Sequence, residues 1–206
     1  MSTFLLEIGT EELPADFAQS VLPQFKEIVL RDLAEKRLPH GLLLMTSTPR
    51  RIVIQISDLP QKTDDFVDEI KGPPLSQAFK DGSPTQAAKG FARKYSLSLD
   101  DLLSKQTNKG EFLFAKICEK GVSSKSIFSD LVPTWILSLQ GKRFMRWADG
   151  EIKFSRPIRW LLCLFDDEII PVLLKGADPL VTSSNLTRGH RLFHESVVIK
   201  SADSYF

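Results

Sequence analysis

The sequence predicts an α+β fold of mixed and antiparallel sheets with packed helices, divided into two subdomains. The order strand, helix, strand, strand over the first sixty residues indicates this class. A polar break at 59–65 then separates an N-terminal unit, residues 1–60, from a second α+β region, residues 66–206. The last residues, from Ser201, are typical of a helix cap with no helix after it, so we expect the second region to be truncated.

The N-terminal unit combines a buried strand, a long helix and two further strands. Thr10, the acidic residues after it and Pro14 are typical of a helix start. Apolar residues at helical spacing follow, and Pro23 predicts a kink inside the helix. The predicted elements are a strand at 4–8, a helix at 15–36, and strands at 42–45 and 51–56.

The second region mixes short strands with three helices. Ser83 and Pro84 favour a helix start, and Ser98 is a candidate cap. Pro133 predicts a kink, and Pro171 places its strand at a sheet edge. The predicted helices are 84–94, 98–103 and 124–139, and the predicted strands are 66–71, 111–119, 142–147, 160–165, 168–174 and 197–200.

Composition is that of an ordinary soluble globular protein, with 42% hydrophobic and 26% charged residues. A net charge of +1 excludes a binder that is basic throughout, so any nucleic-acid contact must come from a local patch. Cys118 and Cys163 each lie in an apolar run, which predicts two buried, reduced thiols. No signal peptide or membrane span is recognisable, so we expect a cytoplasmic protein without a membrane partner.

The stretch 142–165 concentrates cations and aromatic residues. Arginine offers a planar fork of donors for phosphate, and aromatic rings can stack on bases, so this pattern predicts an RNA-binding surface. The alternation within 142–147 is equally typical of a half-buried strand with aromatic rings inward and cations in water, turning at Asp149-Gly150. The cations are Lys142, Arg143, Arg146, Lys153, Arg156 and Arg159, and the aromatics are Phe144, Trp147, Phe154 and Trp160.

The residues Arg188, Gly189, His190 and Arg191 form a second candidate contact. Their guanidinium and imidazole donors suit a phosphate or an RNA 2′-hydroxyl, while a tight turn with a structural histidine is the alternative. No metal-ligand spacing, phosphate loop or nucleophile motif is recognisable in the sequence. We therefore predict no catalytic residue and no metal site in this chain.

Several segments, taken together and in order, resemble the N-terminal part of the β subunit of bacterial-type glycyl-tRNA synthetase. Where that family continues directly from Gly-His-Arg to Phe, this sequence has Leu192 before Phe193. The segments are FLLEIGTEELPA at 4–15, TPRR at 48–51, KGPP at 71–74, GSPTQAAKGFAR at 82–93, KGEFL at 109–113, MRW at 145–147, FSRPIRWLL at 154–162 and TRGHR at 187–191.

The resemblance implies a non-catalytic portion of a tetramer with two α and two β subunits, which joins glycine to its tRNA. ATP and Mg²⁺ would be used on the α subunit, with no cofactor bound by this fragment. The expected partners are tRNA(Gly), the α subunit and the remainder of the β subunit.

If the resemblance holds in function, basic side chains are expected to contact tRNA phosphate or sugar on the acceptor side. Such contacts position the tRNA and distinguish little between one base and another. The alternative is a scaffold region that docks the α subunit or the rest of β, with arginines and tryptophans as interface anchors. The candidate tRNA-binding residues are Arg143, Arg146, Arg156, Arg159, Arg188, His190 and Arg191, with Lys89 and Arg93 as outlying contacts.

Overall fold

A computed structural model describes residues 1–80, 83–108, 110–189 and 196–206. The chain forms two compact units. Unit 1 consists of Met1–Thr63 and Val122–Phe206, and unit 2 consists of Asp64–Gly121. Helices and strands in mixed and antiparallel sheets confirm the predicted α+β class.

The elements follow one another along the chain in three groups. The first part of unit 1 contains β1 (Ser2–Thr10), α1 (Ala15–Glu35), β2 (Leu43–Thr48) and β3 (Arg51–Leu59). Unit 2 contains β4 (Phe66–Pro74), α2 (Leu75–Ala78), β5 (Phe79–Lys80), β6 (Ser83–Pro84), α3 (Gln86–Lys94), β7 (Leu102–Thr107) and β8 (Gly110–Glu119). The second part of unit 1 contains α4 (Ser124–Ser138), β9 (Met145–Arg146), β10 (Lys153–Phe154), β11 (Ile158–Phe165), β12 (Glu168–Ile169), β13 (Leu173–Leu174), β14 (Val181–Ser184), β15 (Leu186–Thr187), β16 (Val197–Val198) and a 3₁₀ turn (Ala202–Ser204).

The sheet of unit 1 is organised around β1. Its strand order is β13-β14-β11-β1-β3-β2, with β12 paired to β11. β1 is antiparallel to both neighbours, whereas β11 and β14 are parallel. Pairing of Phe4 with Phe165 brings residues that precede unit 2 and residues that follow it into one sheet.

Because of this pairing, the two units differ from the predicted regions, which were residues 1–60 and residues 66–206. The first junction, between Thr63 and Asp64, falls in the predicted polar break. The second, between Gly121 and Val122, has only a glycine as a local signal. Because β11 completes the sheet begun by β1, the residues after 121 belong with the N-terminal unit.

The main core lies between one face of this sheet and helices α1 and α4. Alternate residues of β1 (Phe4, Leu6 and Ile8) point into it and are fully buried. Phe4 stacks on Phe128 of α4, with ring centroids 4.0 Å apart. The Trp135 indole donates to the Asp32 carboxylate at 2.7 Å, which joins α4 to α1.

The opposite face of the sheet is covered by the last residues of the chain. Leu5, Val53, Leu162 and Leu164 are buried there against Ala202, with Ile199 and Tyr205 packed beside them. The 3₁₀ turn is fixed by a hydrogen bond of 2.7 Å from the Ala202 amide to the Asp166 carbonyl. The predicted helix cap at Ser201 therefore begins a single turn that closes over the sheet.

Unit 2 is a three-stranded antiparallel sheet, β4-β8-β7, with α2 and α3 packed against one face. The predicted helix at 98–103 is wrong. Ser98 bonds the Asp101 carboxylate through its hydroxyl at 2.7 Å and closes one turn, which lowers the pKa of Asp101. The chain then continues as β7, with Leu103 paired to Phe114. The helix expected at Pro84 begins at Gln86, because Pro84 pairs with Phe79 in a short hairpin.

The two cysteines occupy different environments, so the prediction of two buried thiols is half wrong. Cys163 is buried in the core of unit 1, and burial raises the pKa of its thiol. Cys118 is exposed, because residues of β8 alternate between the two faces of the unit 2 sheet. Among the described residues, no helix is both long and apolar enough to cross a membrane.

Candidate nucleic-acid interface

The aromatic side chains of the stretch 142–165 point inward. Phe154 and Trp160 are only 1% and 8% exposed. The Phe154 ring packs against Phe144 and Phe17, with centroids 5.4 and 5.7 Å away. The half-buried Trp147 donates to the Phe154 carbonyl at 3.3 Å. These rings are not exposed platforms for bases, which corrects that part of the predicted RNA-binding surface.

The cations of the same stretch do lie at the surface. Arg146 on β9 pairs directly with Lys153 on β10, so two exposed positive charges stand side by side. Arg143 lines an open cleft of about 680 Å³ with Lys142 and Asp16. Like charges placed opposite each other weaken a strand pair. Their placement therefore favours an anionic partner.

A β-bulge places the next two arginines. Gly9 pairs with Trp160 and Thr10 with Ile158, so Arg159 is an extra residue on β11. The Arg159 guanidinium extends to the Glu11 carboxylate at 3.2 Å. Arg156, half-buried just before the bulge, donates to the Ser155 carbonyl at 2.9 Å. Bulges are common where a strand must re-aim a side chain beside a functional site.

Trp160 is the centre of a cluster at the end of β1. Its ring lies directly on Gly9, where an added Cβ would be 1.9 Å from Cε2. The guanidinium carbons of Arg50 and Arg51 lie 6.0 Å from the ring centroid, and that of Arg188 lies 5.0 Å away. Guanidinium groups at this distance are attracted by the ring quadrupole. We call Glu7, Gly9, Arg50, Arg51, Trp160, Thr187 and Arg188 the Trp160 cluster.

The buried carboxylate of Glu7 holds this cluster together. It accepts from the Trp160 indole at 2.6 Å, and the Thr187 hydroxyl lies 2.7 and 2.8 Å from its two oxygens. The Tyr205 hydroxyl also donates to it, and Arg51 Nη1 lies 3.6 Å away. Arg51 in turn donates to the carbonyl of Arg188 at 2.7 Å. A buried charge with this many partners is satisfied rather than strained.

Tyr205 makes the stability of unit 1 depend on pH. Burial raises the pKa of Tyr205 above its usual value of 10.0, and the nearby Glu7 carboxylate raises it further by a smaller amount. The unfolded chain therefore loses this proton at lower pH than the folded chain. We expect the contribution of Tyr205 to the free energy of unfolding to be constant with pH below about pH 10. Above that pH, the free energy of unfolding should fall as the pH rises.

Urea unfolding at a series of alkaline pH values measures this effect, with Tyr205→Phe as the comparison. The variant loses one hydrogen bond at every pH, but its stability should decline less steeply above pH 10. Parallel curves for the two proteins would show that Tyr205 does not titrate differently on folding.

The charge of the Trp160 cluster is not balanced. The cluster contains three arginines and one carboxylate, that of Glu7, which lies 3.6 Å from Arg51. In the described part of the chain, no carboxylate lies within ion-pair distance of Arg50 or Arg188. Two buried polar atoms, Thr10 Oγ1 and Arg50 Nε, also lack a hydrogen-bond partner there. The end of β1 therefore carries excess positive charge and unused hydrogen-bonding capacity.

The structure brings some predicted site residues together and separates others. Arg159 is the bulged residue, Arg156 lies just before the bulge, and Arg188 lies on Trp160. Arg143 and Arg146 are exposed on the segment leading into β11. Lys89 and Arg93 are exposed on α3, in unit 2. His190 and Arg191, together with Leu192, lie outside the described residues.

Sequence reasoning did not select Glu7, Gly9, Arg50 or Arg51 as site residues. A signal was present, because Glu7 is the acidic exception in an apolar strand. Residues from four of the segments that carry the family resemblance also meet here, although these segments are far apart in sequence: Glu7 and Gly9, Arg50 and Arg51, Trp160, and Thr187 and Arg188. Among the described residues, no group of three or more His, Cys, Asp or Glu is placed to hold a metal ion.

Comparison with known proteins agrees with the sequence resemblance. The family described as glycyl-tRNA synthetase beta subunit matches residues 4–206. The chain is 47% identical over 206 residues to a protein of Acaryochloris marina named glycine–tRNA ligase beta subunit, covering all of this chain and 29% of that protein. Proteins of the same name match from Trichodesmium erythraeum, at 47% identity over 98% of this chain and 28% of theirs, and from Moorella thermoacetica, at 39% over 98% and 29%.

The chain thus spans somewhat less than a third of the length of these relatives. The match extends over both units and includes every segment that forms the end of β1. The relatives are named as a subunit of an aminoacyl-tRNA synthetase, as the sequence resemblance implies. The chain belongs to the glycyl-tRNA synthetase beta subunit family.

Proposed function

We propose that this chain contributes tRNA binding to a glycine–tRNA ligase, as the N-terminal part of its β subunit. Its arginines contact phosphate or sugar on the acceptor side of the tRNA and position it. Joining of glycine to tRNA(Gly) takes place on the α subunit, which uses ATP and Mg²⁺. This chain holds neither of them and acts within an α₂β₂ enzyme in the cytoplasm.

The observation that carries the proposal is a group of accessible guanidinium groups without acidic partners. In the portions of the chain that the structure describes, Arg143, Arg146, Arg156 and Arg188 have no carboxylate within ion-pair distance. Arginine binds phosphate through two parallel donors, and such contacts dominate affinity for nucleic acid without reading sequence. Because the neighbouring aromatic rings are buried, this surface suits the backbone rather than the bases.

Reversing two of these charges tests the proposal. We expect Arg146→Glu with Arg156→Glu to weaken binding of tRNA(Gly) and to lower the slope of log K against log salt by about 2. Arg159 is left intact, because its ion pair with Glu11 also supports the bulge. Filter binding across a salt series measures both quantities.

The matched control is Lys36→Glu with Lys62→Glu, which makes the same change in net charge at exposed positions elsewhere in unit 1. It should leave the salt slope almost unchanged. Equal losses in the two double variants would show that only total charge matters. An unchanged slope in the arginine variant would refute the site.

Docking of another protein is a second candidate function. It is favoured by apolar side chains at the surface near the C-terminal end of the chain, where Leu186, Val198 and Phe206 are exposed. The partner in this case is the α subunit or the rest of β. Binding of the α subunit to the same arginine variant separates the two functions, since protein docking through apolar residues tolerates these reversals.

A further inference from the structure

The sheet of unit 2 has one covered face and one open face. Leu113 and Ala115 of the central strand β8 are buried, and Leu113 packs against Ala78 of α2 and Ala88 of α3. The alternate residues of β8 face the other way, because successive side chains in a strand point to opposite faces. Phe112 and Phe114 therefore lie two positions apart on the open face.

Two lysines lie against these phenylalanine rings. Lys71 Nζ is 3.5 Å from the centroid of Phe112, and Lys105 Nζ is 5.8 Å from that of Phe114. The registers place both lysines on the open face, with Lys71 opposite Phe114 and Lys105 opposite Phe112. The ammonium groups are exposed and the rings are half-buried beneath them.

Positive charge is concentrated on this open face. Unit 2 as a whole contains equal numbers of acidic and basic residues. The register places Lys71, Lys105 and Lys116 on the open face, with Glu69 as their acidic counterpart in the three strands. Glu69 forms an ion pair with Lys105 that crosses the central strand. The open face therefore carries net positive charge although the unit does not.

A strand that presents two aromatic rings among lysines matches the chemistry of unpaired RNA. Bases stack on aromatic side chains while cations neutralise the backbone, as occurs on sheets that bind single-stranded RNA. Paired bases cannot reach such rings, because a duplex exposes only its edges and backbone. In the described part of unit 1, the aromatic rings beside the cations of 142–165 pack inward, so the two surfaces suit different parts of an RNA.

We propose that the open face of unit 2 binds a single-stranded RNA segment, with bases stacked on Phe112 and Phe114 and phosphates held by Lys71, Lys105 and Lys116. This inference rests on the proposed tRNA-binding function, because the occupant is an unpaired stretch of that tRNA. The lysines move from the rings to the phosphates when RNA binds. The ion pair between Lys105 and Glu69 opens at little cost, since exposed pairs contribute under about 1 kcal/mol.

Binding of a fluorescent single-stranded RNA of about eight nucleotides, within the span that one such surface covers, tests the inference. The variants are Phe112→Leu and Phe114→Leu, which keep apolar bulk but remove the ring. Fluorescence anisotropy with the 206-residue chain should show binding at least about 30-fold weaker for the double variant, which loses two stacked bases. A blunt-ended duplex without a loop, carrying the same charge, should bind equally to wild type and variant.

The control is Phe206→Leu, which removes an exposed ring outside unit 2 and should leave RNA affinity unchanged. Equal binding of single-stranded RNA by wild type and the double variant would overturn the inference, as would no binding by wild type. If the double variant instead loses affinity for the α subunit, the open face is a protein contact and the inference is wrong.

The tRNA-binding proposal fails by a different result, an unchanged salt slope in the Arg146 and Arg156 double variant with intact tRNA. In that case, loss of single-stranded RNA binding in the Phe112→Leu, Phe114→Leu double variant would still show that the open face of unit 2 binds unpaired RNA. Failure of the tRNA-binding proposal can therefore be told apart from failure of this inference.

Discussion

Gly9→Ala is expected to destabilise unit 1 by about 3–5 kcal/mol, which is large for the addition of one methyl group. The new Cβ would lie 1.9 to 2.4 Å from three carbons of the Trp160 ring. The ring cannot move away freely, because its indole donates to the buried Glu7 carboxylate at 2.6 Å. Displacing the ring leaves a buried donor and acceptor unpaired, which costs more than the steric overlap alone.

Urea unfolding followed by tryptophan fluorescence measures this loss, because all three tryptophans lie in unit 1. Trp160→Leu in the same chain should relieve the overlap. We therefore expect the double variant with Gly9→Ala to be more stable than the sum of the two single effects predicts. Additive effects would mean that Gly9 and Trp160 do not constrain each other.

Gly90→Ala provides the comparison, because Gly90 lies in α3 with no atom within 4 Å of an added Cβ. Alanine is favoured over glycine inside a helix by roughly 0.5–1 kcal/mol, so this variant should be slightly more stable by circular dichroism. A loss of stability at both glycines would point to a general intolerance of substitution rather than to the contact with Trp160.

Much of the fold could be predicted from local patterns. Apolar residues at helical spacing predicted α1 and α4 to within a few residues of their ends. The polar break near Thr63 marked the first junction between the units. The return of the chain at Val122 could not be predicted, because pairing between β1 and β11 joins residues that are 148 to 161 positions apart. A turn glycine looks the same whether it ends a hairpin or a domain.

The candidate site was predicted only in part, for a related reason. The cations between 142 and 159 stand out by composition, but alternation of aromatic and basic residues fits both a stacking surface and a half-buried strand. Burial of Phe154 and Trp160 decides against a stacking surface. Of the strand expected at 142–147, only Met145–Arg146 is extended, and both residues are exposed. Arg50 and Arg51 reach Trp160 only through the sheet register, which composition does not contain.

Glu7→Ala is expected to cost about 3–5 kcal/mol in the free energy of unfolding of unit 1, because it leaves a partly buried guanidinium, that of Arg51, without its carboxylate. The hydroxyls of Thr187 and Tyr205 and the indole of Trp160 lose their acceptor in the same step. Replacing both charges, as in Glu7→Leu with Arg51→Leu, should recover much of the loss, since no buried charge then remains unpaired.

The matched control for Glu7 is Glu11→Gln, which breaks the more exposed ion pair with Arg159 and should cost no more than about 1 kcal/mol. Glu7 also connects β1 to Thr187 and Tyr205, and Arg51 connects it to the backbone of Arg188. Loss of the carboxylate should therefore lower tRNA affinity as well, by releasing the segment that carries Arg188. If Glu7→Ala cost no more than Glu11→Gln, the arginines around Trp160 would be held by packing alone, and the buried carboxylate would not position them.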